Sequence, residues 1–249
     1  GDSVYVTVTG RNLRTYQHAC PVYYSEGPYV TLLSYRLLDS LGGNHDGIAN
    51  PAEDIEIPFG IKNWGNTTAY GVTAIIEKQF PDTFFTIYDT IKYIGNIASM
   101  ESIYVDPDGF NVVIDSNCPD LHNISLCLNI SDSVGSTWVS DFDFTIHAPV
   151  IGYHDYHFTA NLKYIPPGDT GELFIELMNS GSYPAANVQG VISCNDSLVT
   201  IVDSTASFGT ISPDSLVTNQ ADPFIISTNP AIPSCHLAEL TVKVMSGAY

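Results

Sequence analysis

The stretch Glu56–Val72 recurs as Glu172–Val188, and no other feature of the chain constrains its fold as tightly. The match keeps Glu56/Glu172, Asn63/Asn179, Gly65/Gly181, Ala69/Ala185 and Val72/Val188. A two-residue deletion then resets the register. Beyond it, Gly95-Asn96-Ile97 falls on Gly209-Thr210-Ile211, Asp108 on Asp222, Phe110 on Phe224, Pro119 on Pro233 and His122 on His236. A register held over that distance implies two copies of one module, at residues 28–148 and 149–249, with residues 1–27 as a strand pair and linker ahead of them.

Each copy reads as strands. Ser3–Thr9, Asp54–Ile61 and Phe142–Ile146 alternate apolar and polar residues, which puts one set of side chains on a core and the other in water. Gly, Pro, Asn and Asp cut these runs at short intervals, and the one helix candidate, near Gly71–Gln79, is too β-branched to form one. The expected fold class is all-β: two tandem immunoglobulin-like β-sandwiches preceded by an orphan N-terminal strand pair. Asn-x-Gly in both copies is expected to supply the positive-φ residue of a tight turn.

The copies differ at their ends. Module one closes with a strand at Thr137–Ile146, whereas Tyr249 falls on Gly135, just before that strand. Module two is therefore expected to lack an edge strand, while residues 1–22 form strands with no domain of their own. Two accounts fit: a chain cut between modules, or an N-terminal strand of one molecule filling the vacant edge of the next. The second predicts a head-to-tail filament.

Charge narrows the partners. Eight Lys and Arg against 27 Asp and Glu give a net charge of −19, which opposes binding to nucleic acid. No apolar run approaches the ~18–20 residues of a membrane-spanning helix. The chain starts at Gly1 rather than Met, so it is expected to be a processed or excised segment, and its acidity suits an extracellular, cell-surface setting. Neighbouring modules, or copies of itself, are the expected partners.

The best functional signal is Asp39–Glu53, where oxygen-bearing side chains alternate with glycines. Ca²⁺ takes six to eight hard oxygen ligands. Asn44, Asp46, Asn50 and Glu53, with Asp39 and backbone carbonyls, are the expected shell. The matching stretch of module two, Tyr164–Glu172, is too short and too poor in oxygen. No nucleophile elbow, His-Glu-x-x-His or phosphate-cradling loop occurs, so no catalytic residue is expected.

Five cysteines favour disulfides, with Cys194–Cys235 and Cys118–Cys127 as the expected bridges and Cys20 left over; Cys20 pairing with either of the latter two stays open. Glycosylation triplets stand at Asn66, Asn123, Asn129 and Asn195.

In its repeat and the loop Asp46-Gly-Ile-Ala-Asn-Pro-Ala-Glu53, the chain resembles the C-terminal region of gingipain-like secreted cysteine peptidases and related prokaryotic surface proteins. The shared pattern is Asp-Gly-x-x-Asn-Pro-x-Glu followed by Asn63-x-Gly-Asn66. Residues 1–22 look like the closing strands of a preceding immunoglobulin-like domain of such proteins. The resemblance implies adhesion-type modules that carry no catalytic residue. The expected function is that of non-catalytic structural or adhesive modules, with an accessory region of a secreted peptidase as the alternative.

Overall fold

The computed structural model describes residues 3–10, 16–21, 26–39 and 42–247. β1 (Ser3–Val8) and β2 (Tyr16–Pro21) pair only with each other. The first sandwich contains β3 (Val30–Tyr35), β4 (Asp54–Asn63), β5 (Ala69–Lys78), β6 (Phe85–Asp89), β7 (Ile91–Ile97), β8 (Ser102–Ile114), β9 (Asn123–Ser131) and β10 (Thr137–Thr145). Its sheets run β3-β4-β8-β6 and β10-β9-β5-β7. The second sandwich contains β11 (Ile151–Phe158), β12 (Thr170–Asn179), β13 (Ala185–Cys194), β14 (Val199–Asp203), β15 (Thr205–Ile211), β16 (Ser215–Thr218), β17 (Phe224–Thr228) and β18 (Leu240–Met245). Here β11-β12-β17-β14, with β16 also on β12, faces β15-β13-β18. Every pairing is antiparallel, and the fold is the expected all-β pair of tandem sandwiches behind an orphan hairpin.

Period-two patterning builds both cores. Along β9, Ile124, Leu126, Leu128 and Ile130 point inward while the residues between them face out. β4 adds Ile55, Ile57, Phe59 and Ile61 from the opposite sheet. Each such side chain, fully buried, contributes about 1.5–3 kcal/mol before entropy is counted. Module two repeats the scheme around Leu173, Ile175, Leu177, Phe208 and Phe224.

The repeat survives in backbone detail. Both copies of the β5/β13 strand carry a bulge, between Ala69 and Val72 and between Ala185 and Val188. Gly71 and Asn187 take positive φ there (57° and 51°), and Gly95 and Gly209 do so at the facing position.

The tightest shared feature is a buried asparagine. Asn63 Oδ1 accepts the amides of Tyr29 and Gly65, at 3.0 and 2.9 Å, and its Nδ2 donates to the carbonyls of Thr67 and Ile97, at 2.8 and 3.0 Å. Asn179 does the same with Val150, Gly181, Tyr183 and Ile211, at 3.0, 3.0, 2.8 and 3.0 Å. Each side chain is fully enclosed and joins the incoming linker, the turn after the central strand and the end of a strand in the opposite sheet.

The glycines of the Asn-x-Gly motif correct the sequence expectation. Neither Gly65 nor Gly181 has positive φ; they are needed because another backbone lies against them. A Cβ on Gly65 would stand 2.2 Å from the Gly27 carbonyl oxygen, and one on Gly181 would stand 2.3 Å from that of Ala148. Asn179→Ala orphans two amides and two carbonyls, and should cost module two about 3–5 kcal/mol in urea unfolding. Gly181→Ala should destabilise comparably, since the clash is with backbone; a wild-type midpoint for either would show that the knot is dispensable.

Candidate functional site

The oxygen-rich loop lies where the modules meet. Glu53 anchors it: Oε2 accepts the Asn50 amide at 2.9 Å and Oε1 the Asn44 amide at 3.3 Å. Asp39 Oδ2 and Asn44 Oδ1 share the Asp46 amide, and Asp46 Oδ1 accepts that of Ile48 at 2.8 Å. Asn50 Oδ1 accepts from Asn44 Nδ2, while Asn50 Nδ2 donates to the His147 carbonyl at 2.6 Å. All five expected ligand residues thus meet in one hydrogen-bonded knot, with Asp39, Asn50 and Glu53 buried.

The loop's chemistry suits a hard cation, but its spacing is not that of a ready cage. Among the described residues, no three His, Cys, Asp or Glu side chains come together as a metal-holding group. Burial pushes the Glu53 carboxyl up, the Asn50 and Asn44 amides pull it back, and the charges of Asp39 and Asp46 push it up again.

Module two touches this loop through residues the sequence reading did not single out. Tyr183 donates its hydroxyl to Asp46 Oδ2 at 2.5 Å and accepts from Asn44 Nδ2 at 2.8 Å. Burial and the Asp46 carboxylate push its phenol up to about 12. Beside it, Asp120 takes the Ala148 amide at 2.8 Å, the Ser182 amide at 3.0 Å and the Ser182 hydroxyl at 2.5 Å. With that hydroxyl proton committed, His147 Nδ1, 2.8 Å from Ser182 Oγ, is the donor of their bond. Ser182 and Tyr183 occupy the register positions of Asn66 and Thr67, so the available signal was a difference between the copies.

A second repeated device was legible but missed. His122 Nε2 lies 2.8 Å from Asp82 Oδ2, and His236 Nε2 lies 2.5 Å from Asp196 Oδ2. Asp82 and Asp196 hold the same register as the two histidines, and each also caps a turn, at Phe84 and Leu198. Leu121 and Cys235, just before the histidines, share a positive φ of 58° and 60°.

The far side of module two is open. In module one, β10 covers the edge of β9 and reaches β3, where Ser140 Oγ accepts the Leu32 amide at 3.1 Å and the Tyr35 ring lies 4.8 Å from that of Phe142. No strand among the described residues covers the matching edge of β18. A cleft of about 860 Å³ remains, lined by Ile151, Tyr153, Ile175, Ile192, Val242 and Val244 among others. The inward residues of β9 are sealed, whereas Leu240, Val242 and Val244 stay half-exposed.

Neither expected disulfide is present: all five cysteines are free thiols. Cys118 belongs to the core of module one, while Cys127 sits at an outward position of β9 beside Asn129, so the sheet separates their side chains. Burial pushes the Cys118 thiol up to about 11. Cys194 accepts the Asp196 amide at 3.4 Å and Cys235 contacts the Ser234 hydroxyl at 3.8 Å, so each thiol has a local partner in place of the other. Of the glycosylation triplets, Asn66, Asn123 and Asn195 are exposed, whereas Asn129 is half-buried and donates to Glu77 at 2.9 Å. His154 bonds Glu176 at 2.6 Å and His157 stacks on Phe174, so the two histidines serve different partners. No described helix is long and apolar enough to cross a membrane.

No family model matches the chain, and no curated protein does. Among solved structures, it is similar to the YadV chaperone at 9% identity and TM-score 0.25, over 76% of this chain and 85% of that one. The secreted serine protease VesC from Vibrio cholerae aligns at 12% and 0.27, over 86% of this chain and 50% of that one. Native E. coli alpha-2-macroglobulin aligns at 8% and 0.28, over 93% of this chain and 17% of that one. At such scores no role is read from these likenesses.

Asp120 yields a pH prediction. Burial raises its pKa, but the Ser182 hydroxyl and the amides of Ala148, Ser182 and Leu121 outweigh burial and hold it below the usual value. A depressed carboxylate stabilises fully above its unfolded pKa of about 3.9, and that contribution is lost as pH falls through the lower folded value. The modules should therefore unfold as a coupled unit at neutral pH and uncouple below about pH 4. Asp120→Ala should uncouple them at neutral pH at a cost of about 2 kcal/mol. Calorimetry that resolves the two transitions checks both outcomes.

Proposed function

We propose that this chain is a non-catalytic structural segment of a secreted, cell-surface protein, whose second module is completed by a β-strand supplied from outside it. The observation that carries this reading is the cleft beside β18, which occupies the place where β10 closes module one. An open edge flanked by a half-exposed core attracts a strand twice over, through unpaired backbone groups and through apolar side-chain sites. The net charge of −19 and the pinned junction suit a solvated rod more than a nucleic-acid or anionic-membrane binder.

Calcium belongs to the same reading. Asp39, Asn44, Asp46, Asn50 and Glu53 would hold it, and through Tyr183 the ion would stiffen the contact between modules. The Asp46–Glu53 loop also supports a second setting, the accessory region of a gingipain-like secreted peptidase, in which the modules keep this structural role.

A peptide with the β10 sequence, Thr137–Thr145, tests the open edge. It should bind the chain and raise the melting point of module two, and failure to bind would overturn the completed-strand reading. Calcium should raise the melting point of module one by the equivalent of about 2–3 kcal/mol at a hundredfold excess over Kd, and Asp46→Asn should remove most of that gain. Equal melting curves in calcium and in chelator would remove the ion.

A further inference from the structure

Resting on the open-edge reading above, we propose that the strand completing module two is β1 of a second copy of this chain, inserted with Val4 opposite Val244, Val6 opposite Val242 and Val8 opposite Leu240.

The register comes from module one. There β9 sits between β5 and β10: Ile130, Leu128 and Leu126 face Ala74, Ile76 and Lys78 on one side and Trp138, Ser140 and Phe142 on the other. In module two, Val244, Val242 and Leu240 face Gly190, Ile192 and Cys194, the same positions of the repeat. A closing strand therefore needs inward side chains at three alternate positions, running antiparallel to β18. β1 presents Val4, Val6 and Val8 at that spacing, 57%, 50% and 59% exposed. Its other edge is taken by β2, which leaves one edge free to pair.

Among the described residues the hairpin joins neither core. Neither β1 nor β2 pairs with a strand of either sandwich, and the valine face lies open to solvent. Aligned apolar side chains on an unpaired strand are a liability that sheet proteins otherwise blunt with charge, proline or cover. In β1 none of these is present at residues 3–8.

Geometry excludes the chain's own groove. The hairpin leads into Gly27, whose amide donates to Asn66 at the end of module one where β4 finishes. The junction with module two lies at the other end of β4, near Asn50 and His147. Ten residues of strand separate the two ends, about 33 Å. The chain from Pro21 to Gly27 spans at most about 22 Å when fully extended. Insertion must then be intermolecular and head-to-tail, a contact that leaves a free donor at one end and a free groove at the other and so propagates.

Two full-length variants test the assignment under reducing conditions, with sedimentation velocity as the readout. Val6→Glu spoils the donor and leaves the groove intact; Val242→Glu spoils the groove and leaves the donor intact. Wild-type chain should form a concentration-dependent ladder, each variant alone should be monomeric, and an equal mixture should stop at a dimer. A small proportion of V6E added to wild type should shorten the ladder, which keeps the test sound even if V242E fails to fold. A ladder that persists in V6E, or a wild type that stays monomeric at its solubility limit, overturns the proposal. If wild type stays monomeric while the β10 peptide still binds V6E, the edge is filled by another strand and the open-edge reading survives. If the peptide also fails to bind, both readings fall.

Discussion

Asn63 and Asn179 each hold four backbone groups that would otherwise be buried without partners, and the rest of each module is arranged around that fact. An asparagine amide is the smallest side chain with both two donors and a two-lone-pair acceptor, so it can join an incoming linker, a turn and a strand end at one point. Closing the point needs a second backbone to pass within van der Waals reach, which is why a glycine follows two residues later. In module one the knot ties down the linker from the hairpin; in module two it ties down the linker from module one. The same chemistry therefore sets where each module begins.

The junction adds charge to this scaffold. Asp120 grips Ser182 and Ala148, while Tyr183 reaches back to Asn44 and Asp46. An acidic loop that would be a liability alone becomes a socket for the neighbouring module's turn. Burial, with the Asp39 and Asp46 charges, pushes the Glu53 carboxyl up against the pull of the Asn50 and Asn44 amides. The junction is thus the place where ion content and pH would most directly change how stiffly the modules move together.

Several elements were readable from the residues, and the failures share one cause. The period-two runs anticipated the all-β sandwich fold, because alternation follows from local chain geometry. Gly65 and Gly181 were misread because a positive-φ turn and a close backbone approach demand the same residue, and only the position of Gly27 or Ala148 separates them. The cysteine pairs failed for a similar reason: spacing places Cys118 and Cys127 near each other in sequence, but the turn before β9 puts Cys118 in the core while the pleat of β9 turns Cys127 outward. The His122–Asp82 and His236–Asp196 pairs were within reach of the repeat comparison, yet their members lie 40 residues apart in each copy and meet only when the strands between them fold.

By itself the sequence determined the fold class and the duplication, since alternation and register are properties of neighbouring residues along the chain. It also collected the oxygen-bearing residues of the loop from Asp39 to Glu53. The tertiary structure alone decided that this loop faces module two, that its side chains bond to one another, to loop amides and to Tyr183, and that the edge of β18 left uncovered among the described residues opens on a cleft. Those facts depend on which distant segments share a surface, and no local pattern encodes that.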